Sequence, residues 1–184
     1  RLALLLNRVE KYLKEAQVLI LEDYDKGVLQ EPQALITAAN LNDVPVLVDP
    51  KAKPLSEYKS SDIVKPNEKE FADFVGVEKT GFPEVARRIC DELDIKNIII
   101  TLGGEGMMIN DASSSRHIPA RPVDVFDVTG AGDTSAAVMG LGLALGISVH
   151  QLSELANLAS SLVIGKLGTA PISAPELESG LKLM

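Results

Sequence analysis

The chain has 184 residues, of which 46% are hydrophobic, and its 18 basic and 26 acidic side chains give a formal net charge of -8. The apolar fraction excludes a disordered chain, and the acidic balance, without a cluster of Lys or Arg, argues against a nucleic-acid-binding surface. No apolar run reaches the about 20 residues of a transmembrane helix, and the single cysteine, Cys90, fits a reducing cytoplasm, so we expect neither membrane attachment nor a disulfide.

The chain begins at Arg1 inside a helical pattern, so we expect it to be part of a longer protein. Apolar side chains recur at helical spacing from Leu2 to Leu13, which predicts a helix over residues 2–16. The apolar run at 2–6 is too short for a signal peptide, which agrees with the expected cytoplasmic location.

Short apolar runs alternate with helical patterns along the rest of the chain. The predicted strands are 18–21, 44–48, 62–64 and 98–102, followed by two short antiparallel strands at 107–110 and 116–120. The predicted helices are 31–42, 68–75, 83–93, 131–145 and 149–165. This alternation predicts a Rossmann-like α/β fold with a mostly parallel sheet, helices on both faces, and a single domain over residues 1–184.

Polar residues follow four of the predicted strands. Ligands of open α/β sheets bind beyond the carboxyl ends of the strands, so these segments are expected to share one edge and to form the binding site. The four segments are 22–27, 49–51, 65–68 and 103–106.

The most specific stretch is Asp-Val-Thr-Gly-Ala-Gly-Asp-Thr at 127–134, directly before a helix rich in small residues. Gly130 and Gly132 permit a sharp turn and close approach to a ligand, and the free N–H groups of the helix start, including that of Ala131, form an anion site. Asp133 beside those amides could accept a proton from a substrate hydroxyl. The alternative is that Asp133 only caps the helix.

This stretch resembles the signature of the ribokinase-like (PfkB) carbohydrate kinases. The resemblance implies a ribokinase-like fold, ATP and Mg²⁺ as cofactors, Asp133 as the catalytic base, and Gly130, Ala131 and Gly132 as the anion hole. Thr101-Leu102-Gly103-Gly104-Glu105-Gly106 resembles the family's Thr-x-Gly-x-x-Gly turn, which places Thr101, Gly103 and Gly106 on the nucleotide.

Asn67-Glu68-Lys69-Glu70 resembles the family's Asn-x-x-Glu motif, which arranges Mg²⁺, water and phosphate. The resemblance therefore assigns Asn67 and Glu70 to the cofactor, with Glu70 reaching Mg²⁺ through water. The same spacing is that of a capping box at a helix start, and the two interpretations are compatible.

Four further segments resemble heptose 7-phosphate kinases within this family: 23–27, 49–51, 66–70 and 165–169. The implied reaction is ATP-dependent phosphorylation of the anomeric hydroxyl of D-glycero-β-D-manno-heptose 7-phosphate, in ADP-heptose and lipopolysaccharide core biosynthesis. Alternatives are another PfkB kinase acting on a ribose- or fructose-like sugar, or a nucleotide-binding fragment without turnover.

Lysines at the predicted edge could bind the phosphates of such substrates: Lys26, Lys51 and Lys65. We expect Lys51 to contact the nucleotide, because the segment Asp49-Pro50-Lys51 directly follows a strand, whereas a solvated surface charge is the alternative for each lysine. Asp23 and Lys26 are expected either to bind the sugar phosphate or to form a turn in which Gly27 takes a positive φ.

Other candidates come from the resemblance alone. Asn157, with Ser160 and Ser161, lies on a helix that passes near the adenine in this family, and helix packing is the alternative. Asp127 is a candidate ligand for K⁺, which some family members bind, and hydrogen bonding within the loop is the alternative.

Two departures from the family stand out. Glu22 and Asp25 add negative charge where heptose kinases more commonly carry small residues. The chain also lacks the family's N-terminal strands and the lid over the sugar, through which members often form homodimers. We therefore expect it to be the C-terminal portion of a kinase domain.

Overall fold

The computed structural model describes residues 2–168 and 170–182, in which six strands form one sheet in sequence order. The strands are β1 (Leu19–Glu22), β2 (Val46–Asp49), β3 (Ile63–Val64), β4 (Asn97–Thr101), β5 (Met107–Asn110) and β6 (Ser115–Ile118). Strands β1 to β4 are parallel, and β5 and β6 are antiparallel to their neighbours. The predicted mostly parallel sheet with two antiparallel strands is confirmed.

Helices cover both faces of this sheet, as predicted. They are α1 (Leu2–Leu13), α2 (Pro32–Asn40), α3 (Glu68–Val75), α4 (Phe82–Leu93), α5 (Ala131–Ala144), α6 (Val149–Ile164) and α7 (Ala174–Lys182). Successive strand side chains point to opposite faces. Val46 and Val48 therefore join the apolar cluster of α1 to α4, whereas Leu47 packs with α5 and α6.

The predicted helices and strands begin and end within two residues of their predicted bounds, except that α1 ends three residues early. Helix α1 ends at Leu13, because the N–H groups of Glu15 and Ala16 both donate to the Tyr12 carbonyl and turn the chain. Strand β6 ends at Ile118, because Pro119 has no N–H with which to extend the ladder. The segment between β2 and β3 contains a short 3-10 turn, Leu55–Tyr58.

Helix α7 was not predicted. The N–H and hydroxyl of Ser173 donate to Glu176 Oε2 at 2.8 and 2.7 Å, so the helix start is held by a Ser-x-x-Glu pair. Leu177 packs against the cluster beneath α6. The spacing of Ser173 and Glu176 is the signal that would have located this helix in the sequence.

Small residues let α5 pack closely on its neighbours. A Cβ added at Gly140 would overlap Ile20 Cδ1 of β1, and one added at Gly142 would lie 2.7 Å from Leu152 Cβ of α6. Gly140 and Gly142 lie on different sides of α5, so the helix is in close contact with the sheet through Gly140 and with α6 through Gly142. This contact fixes where α5 begins relative to the ends of the strands.

We predict that Gly142→Ala lowers the free energy of unfolding by about 1–2 kcal/mol. The overpacking costs about 2–3 kcal/mol, because the clash is with the Cβ atom of Leu152, which its backbone holds in place, and the gain in helix propensity offsets about 1 kcal/mol of it. Urea denaturation measures the difference. The control is Gly104→Ala, since a Cβ at Gly104 meets no atom within 4 Å, and its effect should stay within about 0.5 kcal/mol. Equal stability of Gly142→Ala and wild type would contradict this packing.

Candidate active site

A polar cavity of about 230 Å³ lies at the carboxyl ends of the parallel strands. Three of the four polar segments predicted to converge do line it, together with the start of α5. The lining residues are Glu22, Asp23, Tyr24, Asp49, Pro50, Lys51, Lys65, Asn67, Glu70, Thr101, Gly132 and Asp133. The cavity is polar because its lining residues lie beyond the ends of the strands, whereas the apolar side chains of the strands themselves are buried in the core.

A second, largely apolar cavity of about 220 Å³ adjoins the polar cavity. The two share Thr101 and Gly132, so they meet between the end of β4 and the start of α5. The apolar cavity is lined by Thr101, Gly103, Gly104, Gly106, Met107, Val125, Val128, Ala131, Gly132, Ser135, Asn157, Ser160 and Ile164. An elongated ligand with a charged end and a flat apolar end would match this pair of cavities.

The turn at 103–106 requires glycine for a geometric reason. Gly106 has φ +99°, and a Cβ there would overlap the carbonyl oxygen of Ile118. Gly103 also takes a positive φ, +56°. The backbone of this turn can therefore form the rim of the apolar cavity, which Gly103 and Gly106 both line.

The predicted anion turn has the expected conformation. Gly130 has φ +84° and is the N-cap residue of α5, which begins at Ala131. No side-chain hydrogen bond caps this helix start. Helix α5 is 14 residues long, so the positive end of its dipole lies at this turn. Gly132 lines both cavities, which places the first turn of α5 at their junction.

Asp133 is exposed and accepts a hydrogen bond from the Tyr24 hydroxyl at 3.0 Å. This hydrogen bond, together with the negative charge of Asp133, raises the pKa of Tyr24. Lys26 Nζ lies 5.7 Å from the centre of the Tyr24 ring, and Lys26 does not line the polar cavity. The loop after β1 therefore lines the polar cavity with Asp23, as the sequence suggested, and with Tyr24, whereas Lys26 does not line it.

Lys65 neutralises part of the carboxylate charge at this edge. Its Nζ lies 2.8 Å from Asp49 Oδ2, and its side chain is only 4% exposed. Burial and the Asp49 charge raise the pKa of Glu22, and burial likewise raises that of Asp49, while Lys65 opposes both shifts. Lys65 is thus neither a solvated charge nor an unpaired phosphate ligand.

The capping box at the start of α3 is confirmed. Asn67 Oδ1 accepts from the Glu70 N–H at 2.9 Å, and Glu70 Oε2 accepts from the Asn67 N–H at 3.0 Å. The other carboxylate oxygen of Glu70 accepts from Lys51 Nζ at 2.9 Å. These contacts hold Glu70 and Lys51 at the wall of the polar cavity, and their contacts with the cofactor stay predictions.

Asp23 is buried in contacts that the sequence did not predict. Its Oδ2 accepts from Lys53 Nζ at 2.7 Å and from the Tyr58 hydroxyl at 2.9 Å, and its Oδ1 accepts from the Asp25 N–H at 2.9 Å. Burial raises the pKa of Asp23, but these hydrogen bonds outweigh it, so the pKa is lowered. No spacing signal links Asp23 to Lys53 or Tyr58, because the three meet only through the fold.

The loop after β1 has the turn geometry that the sequence allowed. Gly27 takes a positive φ of +83°, as expected for a turn, and Asp25 takes one of +53°. Asp25 Oδ1 also lies 3.6 Å from Lys53 Nζ. The extra negative charge of Asp25 is therefore directed toward Lys53.

Helix α6 supplies one wall of the apolar cavity. Asn157 Nδ2 donates to the Pro119 carbonyl at 2.8 Å, and the Ser160 hydroxyl donates to the Ala131 carbonyl at 3.2 Å. Both residues line the cavity, and both also tie α6 to neighbouring segments. Ser161 donates to the Leu158 carbonyl within its own helix and does not line the cavity.

Asp127 is held within its own loop. Its Oδ1 accepts from the Thr129 N–H at 2.8 Å, and the hydrogen bonds from Thr129 lower its pKa. Lys166 of the segment 165–169 pairs with Glu176 at 2.6 Å, and Thr169 of the same segment lies outside the described residues.

In residues 2–168 and 170–182, no group of three or more His, Cys, Asp and Glu side chains could hold a metal ion. Within the same ranges, no helix is long and apolar enough to cross a membrane.

Comparison with known proteins identifies relatives of the whole chain. A family model described as pfkB family carbohydrate kinase matches residues 2–177. The bifunctional protein HldE of Pseudomonas aeruginosa (strain LESB58) is 42% identical over 177 residues, which is 95% of this chain and 37% of that protein. HldE of Stutzerimonas stutzeri (strain A1501) is 41% identical over 183 residues, 98% of this chain and 39% of that protein. The chain thus spans less than half the length of these relatives.

Solved structures share the fold. Phosphofructokinase-2 from Escherichia coli in complex with potassium superposes with a TM-score of 0.82 at 23% identity, over 97% of this chain and 61% of that one. Arabidopsis thaliana ribokinase complexed with ribose and ATP gives a TM-score of 0.74 at 25% identity, over 95% and 57%.

The sheet, its flanking helices and these neighbours define a ribokinase-like α/β fold. Since the family model covers nearly the entire sequence, the chain belongs to the pfkB family of carbohydrate kinases.

We predict that Lys53→Met lowers the free energy of unfolding by about 2–3 kcal/mol at pH 7, because it leaves the buried Asp23 carboxylate without its charged donor. The lowered pKa of Asp23 contributes stability above its unfolded pKa of about 4. That contribution is lost as the pH falls through the folded pKa, so the gap to wild type should narrow toward pH 3. Urea denaturation at both pH values measures the gap.

The control is Lys51→Met. Lys51 pairs with Glu70, but its side chain is 55% exposed, so this substitution should lower the free energy of unfolding by less than about 1 kcal/mol. A loss for Lys53→Met that is the same at both pH values, or absent at pH 7, would contradict the assigned role of Lys53.

Proposed function

We propose that the protein is an ATP-dependent sugar kinase and that Asp133 is its catalytic base. The observation that carries this proposal is the position of Asp133 at the start of α5, where the polar and apolar cavities meet beside the anion turn. Gly130, Ala131 and Gly132 would direct backbone N–H groups at the transferred phosphoryl group. The matching family model supports this chemistry.

In the proposed reaction, Asp133 accepts the proton of the sugar hydroxyl. The hydroxyl oxygen then forms a bond to the terminal phosphorus of ATP, while the bond from that phosphorus to the bridging oxygen of ADP breaks. The protein contributes position and charge stabilisation more than covalent chemistry. Tyr24 must release the carboxylate oxygen it now contacts, or turn with it, for that oxygen to take the proton.

The donors around the polar cavity suit Mg²⁺ held through water. Carboxylate oxygens of Glu22, Asp49 and Glu70 line it, and Mg²⁺ binds proteins through one or two carboxylates and retains several waters. Glu70 is the proposed holder, through water, with Asn67 fixing its side chain. When bound, Mg²⁺ neutralises charge on the ATP phosphates.

Lys51 is the proposed phosphate-binding cation of the chain. The side chain of Lys51 is 55% exposed and that of its partner Glu70 is 13% exposed, and a pair whose lysine is this accessible to water contributes only about 0–1 kcal/mol. Lys51 can therefore exchange Glu70 for a nucleotide phosphate at little cost. Lys65 is buried against Asp49 and lacks this freedom.

The apolar cavity is the proposed site for the nucleoside part of ATP. Thr101, Gly103 and Gly106 would contact it from the turn after β4, and Asn157 from α6. The apolar side chains Met107, Val125 and Val128 offer the surface on which a purine ring can pack. The ribokinase neighbour is described as complexed with ribose and ATP.

The proposed sugar is D-glycero-β-D-manno-heptose 7-phosphate, phosphorylated at its anomeric hydroxyl in ADP-heptose and lipopolysaccharide core biosynthesis. The support is the identity of about 41% to proteins named HldE. Lys26 stays a predicted contact to the sugar phosphate. We propose that Asp23, already bonded to Lys53 and Tyr58, acts by holding the loop that carries Tyr24. A homodimer and K⁺ at Asp127 stay predictions from the family resemblance, and a cytoplasmic location stays a prediction from the composition of the chain.

A second candidate is a nucleotide-binding module without turnover. It is favoured by the contrast between the two cavities, because the described residues enclose the apolar cavity, whereas the predicted sugar ligand Lys26 lies outside the polar one. Calorimetry with ATP–Mg²⁺ beside a phosphoryl-transfer assay on the same sample separates the two candidates. Binding without turnover would favour the module.

We predict that Asp133→Asn lowers kcat by about 10²–10⁴-fold in the full-length protein, because the amide cannot accept the hydroxyl proton. Its dissociation constant for ATP–Mg²⁺ should change little, since the backbone of the anion turn is unaltered. A coupled assay with heptose 7-phosphate, fructose 6-phosphate and ribose measures kcat/KM, which should be highest for the heptose.

The matched control is Asp124→Asn, a substitution of an exposed carboxylate that lines neither cavity. Its turnover should equal that of wild type. Normal turnover of Asp133→Asn would overturn the role of Asp133, and a clear preference for ribose would overturn the heptose assignment.

A further inference from the structure

Ser135 places a buried hydroxyl in the wall of the apolar cavity. The residue is 1% exposed, and its Oγ has no hydrogen-bond partner among the described residues. It lies one turn into α5 from Ala131, and both residues line the cavity. The sequence offered no reason to select Ser135, because a serine between small helical residues looks like packing.

A buried hydroxyl without a partner is unusual, since nearly all buried polar groups in native proteins are hydrogen-bonded. A serine inside a helix commonly donates to the carbonyl four residues earlier. For Ser135 that carbonyl belongs to Ala131, and it accepts the Ser160 hydroxyl instead. The usual intrahelical partner of Ser135 is thus engaged from α6.

Two neighbouring polar groups of the same wall are already engaged. Asn157 Nδ2 donates to the Pro119 carbonyl, and the Ser160 hydroxyl donates to Ala131. The hydroxyl of Ser135 therefore keeps its capacity both to donate and to accept a hydrogen bond, in surroundings that are otherwise mainly apolar. In such surroundings one well-placed polar group fixes the orientation of a ligand.

Ser153 provides an internal comparison. It lies on α6, is 0% exposed, and its Oγ also lacks a partner among the described residues. Unlike Ser135, it lines neither the polar nor the apolar cavity. The two serines therefore share burial and lack of a partner and differ in access to a ligand.

We propose that the Ser135 hydroxyl hydrogen-bonds the nucleoside part, base or ribose, of a purine nucleotide bound in the apolar cavity. The proposal rests on the proposed kinase function. Ser135 lines the apolar cavity but not the polar one, whereas Gly132 of the anion turn also lines the polar cavity, where the phosphates would lie. Ser135 is thus a binding residue for the nucleoside and not for the terminal phosphate.

The test compares Ser135→Ala with Ser153→Ala in the full-length protein, using calorimetric titration with ATP–Mg²⁺ and, separately, with tripolyphosphate–Mg²⁺. Ser135→Ala should weaken ATP binding about three- to tenfold, the effect of one lost hydrogen bond. It should leave tripolyphosphate binding unchanged. Ser153→Ala should leave both unchanged, and urea denaturation should show both variants folded.

Three results would overturn the inference. Equal ATP affinity for Ser135→Ala and wild type would show that the hydroxyl does not reach the ligand. An equal loss in Ser153→Ala would show an indirect effect of the helix pair, and a matching loss for tripolyphosphate would move the contact to the phosphates. Failure of wild type to bind ATP would overturn the proposed function as well, which separates that outcome from the others.

Discussion

The ion pair between Lys65 Nζ and Asp49 Oδ2 allows several carboxylates to occupy one edge of the sheet. Parallel pairing of β1 and β2 ends both strands at the same level, with Glu22 opposite Asp49, and Asp133 lies close enough to raise the pKa of both. A buried carboxylate is costly unless a cation compensates it. Lys65, 4% exposed, provides that compensation from the end of β3. Without it, the acidic edge and the proposed base could not be held this close together.

The same edge explains how a chain with a net charge of -8 can bind a polyanion. The buried Lys65 is paired with Asp49. Attraction for phosphates therefore comes from the amides at the start of α5 and from Lys51, which is exposed and can exchange Glu70 for a phosphate at little cost. The polar cavity then suits phosphates and sugar, and the apolar cavity suits a nucleoside. Close packing of α5 on Ile20 and Leu152 holds the helix start at the junction of the two cavities.

Much of this was accessible from the sequence, because its signals are local. Hydrophobic runs located the strands along the chain, the glycines at 130 and 132 indicated the turn, and the Asn67/Glu70 spacing indicated the capping box that the structure contains. Contacts made by distant residues were not accessible: Lys53 and Tyr58 reach Asp23 across about 30 residues, and Tyr24 reaches Asp133 across 109. The sequence also suggested Lys65 as a phosphate ligand. Its burial and its ion pair with Asp49 could not be predicted, because both arise only when the chain folds. Helix α7 was missed although Ser173 and Glu176 carried a recognisable signal.

The most direct test of the central claim, that one ligand bridges the two cavities at the start of α5, is an amide chemical-shift titration with ATP–Mg²⁺. The account predicts saturable shifts for Thr101, Gly132 and Ser135, which surround the junction. Asp43 and Lys96 line a separate cavity of about 330 Å³ and should not shift. Shifts confined to that separate cavity, or no saturable shift at Gly132, would contradict the account.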